Sequence, residues 1–245
     1  AALLAALSRI FLQAFGSVHE SGPGYLSWTS VLHAVGLISL VGGHAMALVQ
    51  PRLKRMLACL ASGQVDMGLV GLAAVGKLGH APEDQQHAFA GILVFLAVHA
   101  VNWAGVFLAV AAVSGPEDSD PGVRRLDGLA RQHPALAAAI GLALLCMAGM
   151  PLTAGFIPRL VLIQGMIAAD WIGTAVVRAL GLGLVLAMSL GLVAAMVMRP
   201  GRAEGQLRSS WTLNLTALLA SGTILFLGIW PSGILSWGLQ ATAGI

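Results

Sequence analysis

Read from its first residue, the chain alternates long apolar runs with short polar connections. Six runs, at 28–48, 55–76, 88–113, 135–169, 173–198 and 211–230, are long enough to cross a hydrocarbon core of about 30 Å, which takes roughly 20 helical residues. A seventh, residues 1–16, reads as the second half of a span, because "AALLAALSRIFLQAF" starts in mid-helix without a cap, a charged leader or a cleavage site. The chain is therefore expected to be part of a longer one. The connections "SGPGY", "GHAPEDQQ", "SGPEDSDPG" and "RPGRAEG" are rich in Pro and Gly and short, so successive helices should be neighbours. The predicted fold class is an all-α integral membrane protein, a bundle of about seven transmembrane helices forming one domain over residues 1–245.

One run is too long for a single straight helix. Residues 135–169 contain "GMP" at 149–151, then Gly155 and Pro158, so a broken helix is expected, with Gly149, Pro151, Gly155 and Pro158 marking the break. The freed backbone of a broken membrane helix is tolerated only where protein or a wet cavity surrounds it. Transporters place such breaks beside their sites, although a proline kink in a packed bundle helix would read the same way.

Composition supports the lipid environment. Of 245 residues 58% are hydrophobic and 9% charged, and the mean hydropathy is +0.87. That leaves too little polar surface to coat a water-soluble globule. The formal charge of +3 comes from 13 scattered basic residues with no basic stripe, so nucleic acid is not an expected partner. Charge also orients the bundle. Arg52, Lys54, Arg55, Arg124, Arg125, Arg131, Arg199, Arg202 and Arg208 fall in one set of alternate loops, whereas the other set holds Lys77, with Arg178 just inside a span. The loops near 49–55, 114–134 and 199–210 are predicted to be cytoplasmic and those near 17–27, 77–87 and 170–173 to face out. Ala1 would then lie inside and Ile245 outside.

The candidate chemistry lies at membrane depth, where an ionisable side chain costs about 2.5–3.5 kcal/mol on insertion scales and asks for a partner or a role. Asp66, His99 and Arg159 sit near the middle of three successive spans, with His33 and His44 in the preceding one and Arg9 in the first fragment. One reading is a lateral polar path for protons through Asp66, His99 and His44. Histidine suits this because its ordinary pKa of about 6.5 is near ambient pH, whereas arginine keeps its proton and acts as a fixed charge. The other reading is a structural Asp66–Arg159 ion pair, with the histidines packed and hydrogen-bonded. Cys59 and Cys146 read as small core residues, and "GLGLVLAMSLG" at 181–191 as a helix-packing face. No phosphate loop, nucleophile arrangement or metal-ligand spacing is visible, so neither a self-contained active site nor a metal site is expected.

The segments "LVGGHAMALVQPRLKRMLACLASGQVDMGLVGL" (40–72), "ILVFLAVHAVNWAGVFLAV" (92–110), "GLARQHPALAAAIGLALLCMAGMPLTAGFIPRLVL" (128–162) and "LFLGIWPSGIL" (225–235) resemble the second half of the antiporter-like N subunit of NADH-quinone oxidoreductase, respiratory complex I. "LKRMLA", Asn102-x-x-Gly105-x-Phe107 and "AGMPLTAGFI" after "GLARQHP" carry the resemblance, and favour the N subunit over its M and L relatives and over Mrp-type antiporters. The resemblance implies inverted five-helix repeats, each with a discontinuous helix. It also implies a membrane-central chain of ionisable groups that carries protons while electrons pass from NADH to quinone. As a translocase subunit, the chain would hold no cofactor. NAD, FMN, iron-sulfur clusters and quinone would belong to other subunits, and its partners would be other membrane-arm subunits, antiporter-like ones among them, and the bilayer of a bacterial inner membrane. The candidate path is then Arg159, Asp66, His99, His44 and Lys54.

The sequence departs from the family pattern at those positions. Arg159, preceded by Pro158 in place of a glycine, stands where a lysine is usual; Gln64 takes a histidine position and Asp66 a glycine. His99 replaces a common tyrosine and His44 a common asparagine. The alternatives are a rerouted path, a non-pumping structural subunit of a related complex, or a subunit of a cation/proton antiporter.

Overall fold

The computed structural model describes residues 27–78, 82–114, 122–200 and 211–242. The run 1–16, with Arg9, and the loop holding Arg202 and Arg208 lie outside them. Nine α-helices are described: α1 (Trp28–Val49), α2 (Leu53–Lys77), α3 (Pro82–Val113), the short α4 (Leu129–Gln132), α5 (Pro134–Met147), α6 (Phe156–Ala168), α7 (Ile172–Met198), α8 (Trp211–Ile229) and α9 (Ser232–Thr242). A 3-10 turn, Val123–Leu126, precedes α4. Among the described residues, α1, α2, α3 and α7 are each long and apolar enough to cross a membrane, and the pair α8–α9, bent by 79°, makes a further candidate. The chain is an all-α, multi-pass membrane protein.

The helix ends follow local chemistry. Ser27 caps α1 by accepting a 3.2 Å bond from the Ser30 amide. At the other end Pro51 cannot continue a helix and holds Gln50 extended, which turns the chain straight into α2. Pro134 starts α5 at a position whose missing N–H costs nothing. The α1–α2 hairpin closes at glycine. A Cβ on Gly43 would strike the backbone of Gly63, and one on Gly63 would meet the His44 ring 2.8 Å away.

The core divides into two apolar clusters. One joins the first half of α2 (Leu57, Leu60) to the second half of α3 (Val106) and to α5 (Leu144, Met147). The other joins the second half of α2 (Met67, Leu72) to the first half of α3 (Ile92, Phe95) and to α6 (Leu162, Met166). Gln64 and Asp66 fall on α2 between the two clusters, so the polar groups lie where one core ends and the next begins.

The expected break is present and runs from Ala148 to Gly155 between α5 and α6. Gly149 (φ +70°) and Leu152 (φ +71°) both adopt left-handed backbone there. The Ala154 amide donates 3.0 Å to Ile224 O, which pins the break to α8. Pro158 is not part of the break: it lies in the first turn of α6, where no intrahelical bond is lost. The bend between α8 and α9 at Trp230–Pro231 falls at the end of the predicted span 211–230, which carried no expectation of a second helix beyond it. The packing face expected at 181–191 is only partly used. Gly181 meets Leu40, whereas a Cβ on Gly183 or Gly191 would meet open space.

Candidate functional site

The break leaves the negative end of α5 at this place, where the Leu144, Leu145 and Cys146 carbonyls accept from the amides of Ala148, Met150 and Gly149. Arg159, one turn into α6, fills that place. Its Nη1 donates to Gly155 O at 2.7 Å and to Cys146 O at 3.2 Å, and its Nη2 to Gln64 Oε1 at 3.2 Å. Gln64 in turn donates from Nε2 to Met147 O at 3.1 Å. One guanidinium and one amide thus tie α2, α5 and α6 together through backbone carbonyls. Gly155 is required here, because a Cβ would collide with Cys146 O and with Arg159 Nη1. Arg159 is 4% exposed and Gln64 1%, so these bonds are made in the protein interior.

Asp66 is not the partner of Arg159. Its Oδ1 accepts a 2.8 Å bond from Nη1 of Arg178 on α7, and both side chains are almost fully buried. The expected Asp66–Arg159 pair is replaced because α2 turns Gln64 and Asp66 to different neighbours. Two residues apart on a helix are about 200° apart around its axis, so Gln64 meets the break and Asp66 meets α7. Arg178, a charge just inside a predicted span, is the site residue that the sequence does not single out. A lone buried carboxylate facing two candidate arginines was the signal that could have found it. Among the described residues, Arg178 Nε and Nη2 and Arg159 Nε have no hydrogen-bond partner.

The histidines divide. His99 accepts a 2.8 Å bond from Trp103 Nε1 and stacks on Phe95 at 5.1 Å between ring centroids. The Arg159 guanidinium lies 5.4 Å from the same Phe95 ring. Phe95, fully buried, thus touches both His99 and Arg159, and among the described residues no direct polar contact links His99 to Asp66. His44 bonds through Nδ1 to Leu40 O at 2.6 Å, and its buried Nε2 has no partner among the described residues. His33 sits apart, 2.6 Å from Thr174 Oγ1 and stacked on Trp171. Lys54 is not brought to the site. It lies in the first turn of α2, twelve residues from Asp66, or about 18 Å along the helix at 1.5 Å per residue. Cys146 is buried and Cys59 half-buried, as core residues would be.

A model of the NADH:quinone oxidoreductase/Mrp antiporter transmembrane family matches residues 1–186. The chain belongs to that family. It is 29% identical to the NADH-quinone oxidoreductase subunit N of Myxococcus xanthus, over 99% of this chain and 50% of that protein. In fold it is similar to a chain of the Mrp complex from Dietzia sp. (TM-score 0.79, 20% identity, 98% of this chain and 50% of the other). It is also similar to a chain of Thermus thermophilus respiratory complex I (TM-score 0.70, 24% identity, 84% and 44%). The chain spans about half the length of the curated relatives it matches.

Proposed function

We propose that the chain is part of a membrane-arm, subunit N-like component of a proton-translocating NADH-quinone oxidoreductase. It contributes a lateral polar element whose work is coupled to electron transfer from NADH to quinone. It holds no cofactor of its own, and NAD, FMN, iron-sulfur clusters and quinone belong to other subunits. Its partners are neighbouring membrane-arm subunits, including other antiporter-like ones, in a bacterial inner membrane. The loops near 49–55, 114–134 and 199–210 face the cytoplasm.

The observation that carries this reading is the broken helix at the centre of the bundle, with a buried guanidinium on its backbone carbonyls and a buried Asp66–Arg178 pair beside it. A bundle that only had to fold would gain little from three ionisable groups at that depth, each costing about 2.5–3.5 kcal/mol to insert. A specific feature also favours a second reading, a non-pumping structural half. Arg159 cannot release its proton at ordinary pH, and Asp66 is held by Arg178, so neither is an obvious carrier.

The test uses the complete complex that contains this chain, purified and reconstituted in liposomes. NADH-driven quinone reduction should acidify or alkalinise the lumen according to orientation, and Arg159→Gln should lower the protons moved per electron while electron transfer continues. An unchanged ratio in Arg159→Gln would favour the structural half. A complex with no NADH-quinone activity would overturn the reading altogether.

A further inference from the structure

We propose that the groove between the ends of α1 and α7 is a binding site for an anionic phospholipid. The groove holds about 320 Å³. It lies where α1 ends, α2 begins and α7 ends, at the level where a bilayer passes from acyl chains to headgroups. Its wall is apolar, made by Leu48, Met56, Met188 and Leu192, and Gly191 leaves it open, since a Cβ there would meet nothing. Arg124 and Arg199 stand at its rim with Gln50 and with one carboxylate, Asp127, so the rim keeps a net positive charge.

The rim is held in place by the backbone. Val123 donates 2.9 Å to Pro51 O and Gly128 donates 3.0 Å to Ala195 O, which fastens the 3-10 turn to both sides of the groove. Arg125 is drawn away, bonding through Nε to Val113 O. Arg124 is left exposed at the groove, and among the described residues nothing pairs with its guanidinium. Arg199 gives one bond, 3.3 Å from Nη1 to Asp127 Oδ1, out of the five donors a guanidinium carries.

Charge selects the occupant. This end of the bundle carries Arg52, Lys54, Arg55, Arg124, Arg125, Arg131 and Arg199 with Asp127 as the one carboxylate among the described residues, and the sequence of its loops adds Arg202 and Arg208 against Glu117, Asp118, Asp120 and Glu204, which leaves an excess of basic groups. Guanidiniums recognise phosphate through paired N–H donors, and basic pockets between membrane helices take anionic headgroups. At the same ends of α1 and α7, Val49 and Met198 expose three quarters of their surface, apolar area that acyl chains can cover. A phospholipid with net negative charge meets both halves of this surface, whereas a soluble peptide or free phosphate meets only the rim.

The experiment takes the complete complex in mild detergent and counts co-purifying lipid by native mass spectrometry. The wild type should retain about one phosphatidylglycerol or cardiolipin at this subunit after extensive washing. Arg124→Gln with Arg199→Gln should lower that occupancy at least fivefold, and Arg52→Gln with Arg131→Gln, an equal loss of charge at the same end, should not. Gly191→Phe, which fills the wall and keeps both arginines, should also displace the lipid. The proposal is overturned if the wild type retains none, if the two double variants lose lipid equally, or if Gly191→Phe retains it. Thermal stabilisation by inorganic phosphate alone, or equally by phosphatidylcholine, would also overturn it.

Discussion

Arg178 and Asp66 face each other where neither can reach water, so the pair is sensitive to the loss of one member. Removing one partner of a buried pair leaves the other charge uncompensated, at a cost of about 3–5 kcal/mol, whereas replacing both by apolar groups is often close to neutral. Asp66→Asn should therefore lower the thermal stability of the assembled protein sharply, and Asp66→Leu combined with Arg178→Met should recover most of it. Thermal unfolding in detergent checks both; equal damage from the single and double changes would mean that the site needs polarity rather than charge balance. Asp66 and Arg159 were legible in the sequence because an ionisable residue inside an apolar run stands out by its insertion cost. Their pairing was not. Sequence order gives depth along each helix, but the rotation of α2 and the order of helices around the bundle decide which arginine a carboxylate meets. Arg178 is the sixth residue of its predicted span, 173–198, where a long side chain is expected to reach the membrane surface.

The two adjacent glycines of α1 show how helix contacts set the tolerance of a position. Gly43 lies against the backbone of Gly63, so Gly43→Ala must push α1 and α2 apart, an overpacking cost of about 1–3 kcal/mol. Gly42 faces open space, and Gly42→Ala should be neutral or add about 0.5–1 kcal/mol from helix propensity. Comparing the unfolding temperatures of the two variants reads this directly, and similar values would argue against the close α1–α2 approach. Most elements were legible at this scale, since the apolar runs and their Pro and Gly boundaries place α1, α2, α3 and α7 within a few residues except at the start of α3. That helix extends back to Pro82 through a polar turn that the hydropathy pattern excluded. The bend after α8 was hidden for the opposite reason: α8 ends near the predicted boundary, and only tertiary contact makes Ser232–Thr242 a second, sharply tilted helix.

Across the whole molecule, the central polar groups form two bonded units that share contact with one aromatic ring. On one side Gln64, Arg159 and the α5 carbonyls form a bonded unit, next to Asp66–Arg178; on the other His99 and Trp103 form a second unit. Phe95 touches both, stacked on His99 and under the Arg159 guanidinium, and it belongs to the apolar cluster with Ile92 and Leu162. A ring of that size keeps out water, and a cavity in its place would have polar partners on both sides, the condition under which a buried site fills with water. On the proposed function, Phe95→Ala should therefore connect the two polar units through water and change the protons moved per electron in the reconstituted complex, with electron transfer retained. The truncation also costs about 3–5 kcal/mol of stability, so Phe95→Leu serves as the partner variant. Leucine keeps the space apolar while removing the aromatic face. If exclusion of water is what matters, the leucine variant should pump like the wild type and the alanine variant should not; if the cation–ring contact matters, leucine should fail as well. Wild-type ratios in both would reduce Phe95 to a packing residue and leave the two polar units functionally independent.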